Sequence, residues 1–296
     1  MSFSSDIKEE VSKLNTYKDK NIIIYELIGY FITNNISIVK NKIKYSTENE
    51  YNINRLNKLL KTLSIDYNIQ MQGNLYVISF KKDYLNIFND IIKINDPSIY
   101  VKETLKIQDE QEAKAIVRGS FLGSGSINDP NKKYHFEMIF NSKENATYIK
   151  KILENYEIKI KELKRVNGYS LYIKDGEEIS KILAFIGASS AVLKFEEIRV
   201  IKETRNNVNR LVNCETANLN KTVSAAVKQI EAIKLLKKEN KFKDLSDSLQ
   251  EIAELRIENP DISLIELGKL LKEPIGKSGV NYRLNKILEI ANEIKG

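Results

Sequence analysis

The sequence predicts an α+β fold: two tandem α-β-β-α-β-β-α units, followed by an all-α module ending in a helix-turn-helix. Three observations carry this. Gly29 and Phe31 recur as Gly119 and Phe121, 90 residues on, each within an apolar helix-like run that leads into strand candidates. The formal charge of +7 is concentrated between Lys194 and Lys243, where 12 Lys/Arg stand against 6 Asp/Glu. The stretch from Ser263 to Gly296 divides into two amphipathic segments at Glu273-Pro274.

In the first unit a helix-like run over Asn21–Asn35 precedes strands Ile36–Val39 and Ile43–Ser46 and a helix near Tyr51–Leu63. Strands Tyr67–Gln70 and Leu75–Phe80 join across Gly73-Asn74, and a helix from Asp83 to about Lys93 closes the unit. A linker is expected near Asn95–Ser98. The second unit repeats the order. A helix-like run near Ala113–Gly125 precedes a short stretch at Ser126-Ile127, a strand at Tyr134–Phe140 and a helix at Ser142–Tyr156. Strands Ile158–Leu163 and Tyr169–Ile173 are joined by the hairpin signal Asn167-Gly168, and a last helix ends near Ile186. The expected domains are thus 1–95, 96–187, a helical basic connecting segment 188–243, and a terminal module 244–296.

In that module Ser263 and Glu266 have capping-box spacing. Leu264, Leu267 and Leu270/Leu271 follow as one stripe, and Pro274 stops the helix because it lacks an N–H. A second helix starts near Lys277 or Ser278. Val280, Leu284, Ile287, Leu288 and Ala291 share one side of it, while Ser278, Asn281, Tyr282, Asn285 and Lys286 share the other. Lys277 and Arg283 flank the stripe. From Gly276 to Leu288 no acid occurs. Amides, a hydroxyl and flanking cations suit a major groove, where Asn bonds adenine and Lys/Arg neutralise phosphates. An ordinary amphipathic terminal helix is the alternative reading.

Bulk properties exclude several classes. A single cysteine, Cys214, rules out an internal disulfide and any thiolate metal cluster, and a single histidine, His135, makes a His-based triad difficult. No run reaches the ~18 apolar residues of a membrane span. The expectation is a cytoplasmic protein without cofactor or metal. A pI near 9.1 favours a polyanionic partner.

Three segments resemble the bacterial WhiA family of sporulation and cell-division transcription regulators. They are Arg118-Gly119-Ser-Phe-Leu-Gly-Ser-Gly125 through Pro130, Arg205-Asn-Asn-Val-Asn-Arg210 through Gln229, and Ser263 through Leu284. The resemblance implies a fold similar to LAGLIDADG homing endonucleases, with paired central helices approaching at Gly29 and Gly119 and sheets forming a saddle over DNA. Active nucleases of that fold place a metal-binding acid at the foot of each central helix. The matching positions here are Asn34 and Ser124, and the nearby acids Glu26 and Asp129 are out of register. The resemblance therefore implies a non-enzymatic, sequence-specific binder of double-stranded DNA that regulates transcription in cell division, chromosome segregation or sporulation. A regulatory protein partner is also implied. An architectural or adaptor protein and an active endonuclease are the competing classes.

Further phosphate contacts are expected from Lys42 and Lys44 on one strand face, and from Lys159 and Lys161 on the corresponding late strand. A solvated sheet face explains these rows equally well. Arg205, Arg210, Lys221 and Lys228 supply charge in the connecting segment, whose asparagines (Asn207, Asn209, Asn213 and Asn218) suggest either successive helix caps or backbone contact. The terminal module departs from the family in Glu273-Pro274-Ile275-Gly276, and in Tyr282 and Asn285 where His and Arg are usual. The departure implies reading through amides and a phenol.

Overall fold

The computed structural model describes residues 2–16 and 19–295. The chain forms two compact units, Met1–Glu203 and Thr204–Gly296. In the first, α1 (Phe3–Ser12) precedes the repeat α2 (Lys20–Phe31), β1 (Ile36–Val39), β2 (Lys42–Thr47), α3 (Glu50–Thr62), β3 (Tyr67–Gln72) and β4 (Leu75–Lys81). A hairpin of β5 (Ile92–Asn95) and β6 (Ser98–Val101) comes next. The second repeat is α4 (Glu110–Ser124), β7 (Ser126–Ile127), β8 (Phe136–Phe140), α5 (Lys143–Asn155), β9 (Lys161–Arg165), β10 (Gly168–Ile173) and α6 (Gly176–Ile186).

The duplication is visible in the sheets. One has strand order β1-β2-β4-β3 and the other β7-β8-β10-β9, with antiparallel neighbours throughout. Period-2 alternation places Ile43 and Tyr45, or Phe136, Met138 and Phe140, against the helices.

Between the sheets α2 packs on α4 at backbone distance. A Cβ on Gly29 would collide with the Ile116 carbonyl, and one on Gly119 with the Glu26 carbonyl. The pair is locked beneath by a buried ionic group. Arg55 Nη2 donates to Glu26 Oε2 at 2.7 Å, with both side chains fully buried, and its Nη1 donates to the Leu14 carbonyl at 2.6 Å. Arg118 donates through Nε to the Ile186 carbonyl at 2.8 Å and lies 3.4 Å from the same carboxylate. A second buried device is repeated. Asn52 and Asn145 each occupy the third position of the helix after the first hairpin. Asn52 Nδ2 reaches the Leu122 carbonyl of the other repeat at 2.5 Å, and Asn145 bonds Val101 N and the Ile99 carbonyl of the β5–β6 hairpin.

Four expectations are corrected. The helix expected at 83–93 is a 3-10 turn, Lys82–Phe88, because Asn86, Asn89 and Asp90 favour local turns and Ile92 and Ile94 alternate into β5. The expected linker at 95–98 is the tip of the β5–β6 hairpin. The strand expected from Ile158 begins only at Lys161. The connecting segment is one helix, α7 (Ser189–Lys238), rather than several, since no Gly or Pro interrupts it. Its asparagines therefore cap nothing.

The second unit continues with a 3-10 turn (Phe242–Asp244), α8 (Asp247–Glu258), α9 (Leu264–Lys269) and α10 (Lys277–Lys295). Ile233, Leu236, Ile252, Leu267, Val280 and Leu284 anchor a core of their own.

Gly119→Ala should reverse the usual gain of about 1 kcal/mol for Gly→Ala inside a helix. Overpacking against the Glu26 carbonyl should instead destabilise the protein by about 3 kcal/mol. Chemical denaturation of both proteins would measure the sign.

Candidate nucleic-acid interface

The terminal module is built from its caps inward. Ser263 N donates to Glu266 Oε2 at 2.9 Å and Glu266 N donates to Ser263 Oγ at 3.3 Å, completing the capping box that starts α9. α9 turns back tightly. Ile275 N donates to the Gly268 carbonyl at 3.2 Å, and the Ile275 carbonyl lies where a side chain on Gly268 would stand. Arg256, 1% exposed, holds the approach to α9, with Nη1 donating to the Ile262 carbonyl at 3.0 Å. Burial without a carboxylate partner lowers its affinity for the proton.

This scaffold fixes the rotation of α10. Val280, Leu284, Ile287 and Ala291 are buried, whereas Lys277, Ser278, Asn281, Tyr282, Asn285 and Lys286 are exposed. Ser278, Asn281, Tyr282, Asn285 and Lys286 line one shallow outward surface with Glu289, and Arg283 is half-buried on the far flank. Tyr282 is 71% exposed, unpacked for so large a ring. Lys286 lies 3.2 Å from Glu289, a solvent-exposed pair that exchanges at little cost.

The tertiary structure adds a neighbour that the linear sequence hides. On the Asn281 side of α10, a cleft of about 440 Å³ opens against α7. Lys221 and Lys228 line it together with Asn281 and Asn285, as do Asn220, Ser224 and Gln229. Arg205 and Arg210 are exposed on α7 but line neither surface.

In the first unit Lys42 and Lys44 project from the outer face of β2, opposite the buried Ile43 and Tyr45. Lys42 of β2 is directly opposite Lys81 of β4, a like-charge cross-strand pair. Lys81 escaped the sequence reading because cross-strand register was not specified. Lys161 is exposed in β9, but Lys159 precedes the strand and gives its backbone N–H to Glu178 Oε2 at 2.6 Å. The two lysines therefore do not form a strand row.

At the feet of the central helices, Asn34 N donates to the Ile139 carbonyl at 3.2 Å, while Ser124 Oγ accepts from Ile139 N at 2.9 Å. Both positions are tied to one residue of β8. Glu26 is engaged by Arg55, and Asp129 accepts from Asn131 N in an exposed turn. Among the described residues, no group of three or more His, Cys, Asp or Glu is placed to hold a metal, and no helix is long and apolar enough to cross a membrane. His135 stacks on Tyr172.

The architecture defines a LAGLIDADG-like α+β domain followed by a helix-turn-helix domain. The family model for the WhiA LAGLIDADG-like domain matches residues 113–205, and that for the WhiA C-terminal HTH domain matches residues 208–291. A probable cell division protein WhiA of Clostridium tetani is 38% identical over 315 residues, covering 99% of this chain and 98% of that protein. Its Clostridium acetobutylicum counterpart is 39% identical over 313 residues, covering 100% and 99%. The crystal structure of full-length WhiA from Thermatoga maritima superposes with a TM-score of 0.61 at 27% identity, covering 99% of both chains. The chain belongs to the WhiA family.

The Ser263 backbone N–H holds the Glu266 carboxyl below its ordinary 4.5. The folded value is the depressed one, so the contribution of this cap is complete above pH 4.5 and fades as pH falls through the folded value. The difference in stability between the native chain and Glu266→Ala should shrink in acid, as read from denaturation midpoints across pH 3–7. Ser263→Ala should cost about 1 kcal/mol at neutral pH.

Proposed function

We infer that this chain is a non-enzymatic, sequence-specific DNA-binding regulator that reads duplex DNA with α10. The observation that carries the reading is the outward face of α10: amides, a hydroxyl and a phenol beside Lys277, Lys286 and Arg283, held on a rigid helix-turn-helix. Asn281 and Asn285 have the donor–acceptor pair that matches adenine in the major groove. Lys277, Arg283 and Lys286 supply charge for phosphates. The segment 244–296 acts as the reader and 188–243 as the basic arm that presents it.

The relatives are named cell division proteins. This supports a regulator acting in cell division; a role in chromosome segregation or sporulation and a cytoplasmic, nucleoid-associated location are part of the proposal. The LAGLIDADG-like domain serves as a scaffold or as the seat of a regulatory protein partner. Asn34 and Ser124 carry no charge, and both are bonded to Ile139, so hard cations lack anionic ligands at the helix feet. A nuclease reading makes the opposite prediction: supercoiled plasmid with Mg²⁺ would be nicked in a manner sensitive to Asn34→Ala and Ser124→Ala. The proposed reading expects the plasmid to stay intact.

Alanine at Asn281, Arg283 and Lys286 together should weaken duplex binding. Each lost base contact should cost about 1–3 kcal/mol, and the salt slope should fall by ~0.9 for each lost phosphate contact. Fluorescence anisotropy across salt concentrations measures both. Unchanged affinity and slope would remove α10 from the recognition role.

A further inference from the structure

The cleft between α7 and α10 is cationic and rich in side-chain amides. Lys221, Lys228, Ser224, Gln229, Asn281 and Asn285 line it, and no carboxylate does. Gln229 is only 4% exposed, and its Oε1 finds no protein partner among the described residues. A buried unpaired amide is destabilising, and an apolar side chain of the same length would avoid that penalty. Gln229 lines the cleft while its Oε1 is turned away from any occupant, so the group it can offer there is the amide NH₂, a donor suited to an anionic acceptor.

Position identifies that occupant. Asn281 and Asn285 belong both to the cleft and to the outward face of α10. A helix ~10–12 Å across fills a major groove about 12 Å wide, so a group packed beside such a helix meets the phosphate ridge bounding the groove. Lys221 and Lys228 are seven residues apart on α7, about 10 Å along one helix face. Both side chains are exposed.

We propose that this cleft holds a backbone phosphodiester of the duplex that α10 enters, so that α7 forms a second wall of the reader. Lys221 and Lys228 neutralise the phosphate, Ser224 and Gln229 hydrogen-bond its oxygens, and Asn285 stands at the border between phosphate and base contacts. The proposal rests on the DNA-binding reading above and adds Ser224 and Gln229, which have no base to read.

The full-length chain tests it, with a short random-sequence duplex as probe in fluorescence anisotropy. Lys221→Ala with Lys228→Ala should lower the salt slope by about 1.8. Gln229→Leu leaves the net charge untouched, so it isolates the cleft. It should lower affinity by about tenfold at fixed salt while thermal stability is kept or raised. A native chain without salt-dependent duplex binding would remove the DNA-binding reading, and the cleft assignment with it. Native binding that the α10 substitutions abolish but the cleft substitutions leave unchanged would overturn the cleft alone. A lowered slope with Gln229→Leu silent would reduce the cleft to a charged surface and likewise overturn it. Calorimetry with inorganic phosphate separates the two sources of phosphate. No saturable heat is expected, and saturable binding lost with Lys221→Ala/Lys228→Ala would assign the cleft to a free anion instead.

Discussion

The close approach of α2 and α4 is the constraint on which the first unit depends. Two helices meet where each lacks a side chain, and each presents a backbone carbonyl to the other at Glu26 and Ile116. Such contact excludes water and leaves the neighbouring polar groups no solvent, so they must pair within the protein. Glu26 does so with Arg55 and Arg118, and Asn52 closes the same interior from below. Removing one member of a buried ionic group costs far more than the group contributes when intact. The central helices and their ionic lock therefore behave as one element.

The acid nearest the axis, Glu26, lies within the lock rather than at the helix feet, and the feet themselves are fastened to Ile139. The second unit follows a different logic. Its core is small, so the capping box at Ser263, the tight turn at Gly268 and the buried Arg256 guanidinium set the rotation of α10. Rotation decides which side chains α10 presents, because the same sequence turned by a quarter would bury Asn281.

The sequence made part of this legible, and the reasons are physical. Close helix approach demands glycine in both repeats, so Gly29 and Gly119 stood out. The capping box and the α10 stripe depend on spacing alone, and they appear in the structure as spacing predicts. Asn52 and Asn145 escaped notice because an asparagine near a helix start reads as an ordinary cap, and only the fold buries it. The asparagines of α7 suggested breaks, yet propensity costs of a few tenths of a kcal/mol each do not end a helix that lacks Gly and Pro. The cleft at Gln229 was invisible for a simpler reason: α7 and α10 are distant in sequence, and only packing brings Lys221 and Lys228 beside Asn281 and Asn285.

On the proposed reading α10, with the wall of α7 beside it, gives this chain discrete DNA addresses. Chromatin immunoprecipitation with sequencing, in cells carrying the native chain, tests it most directly. The account predicts sharp peaks that share a short sequence and vanish when Asn281, Arg283 and Lys286 are replaced by alanine. Broad occupancy without a shared sequence, or peaks indifferent to those substitutions, would contradict it.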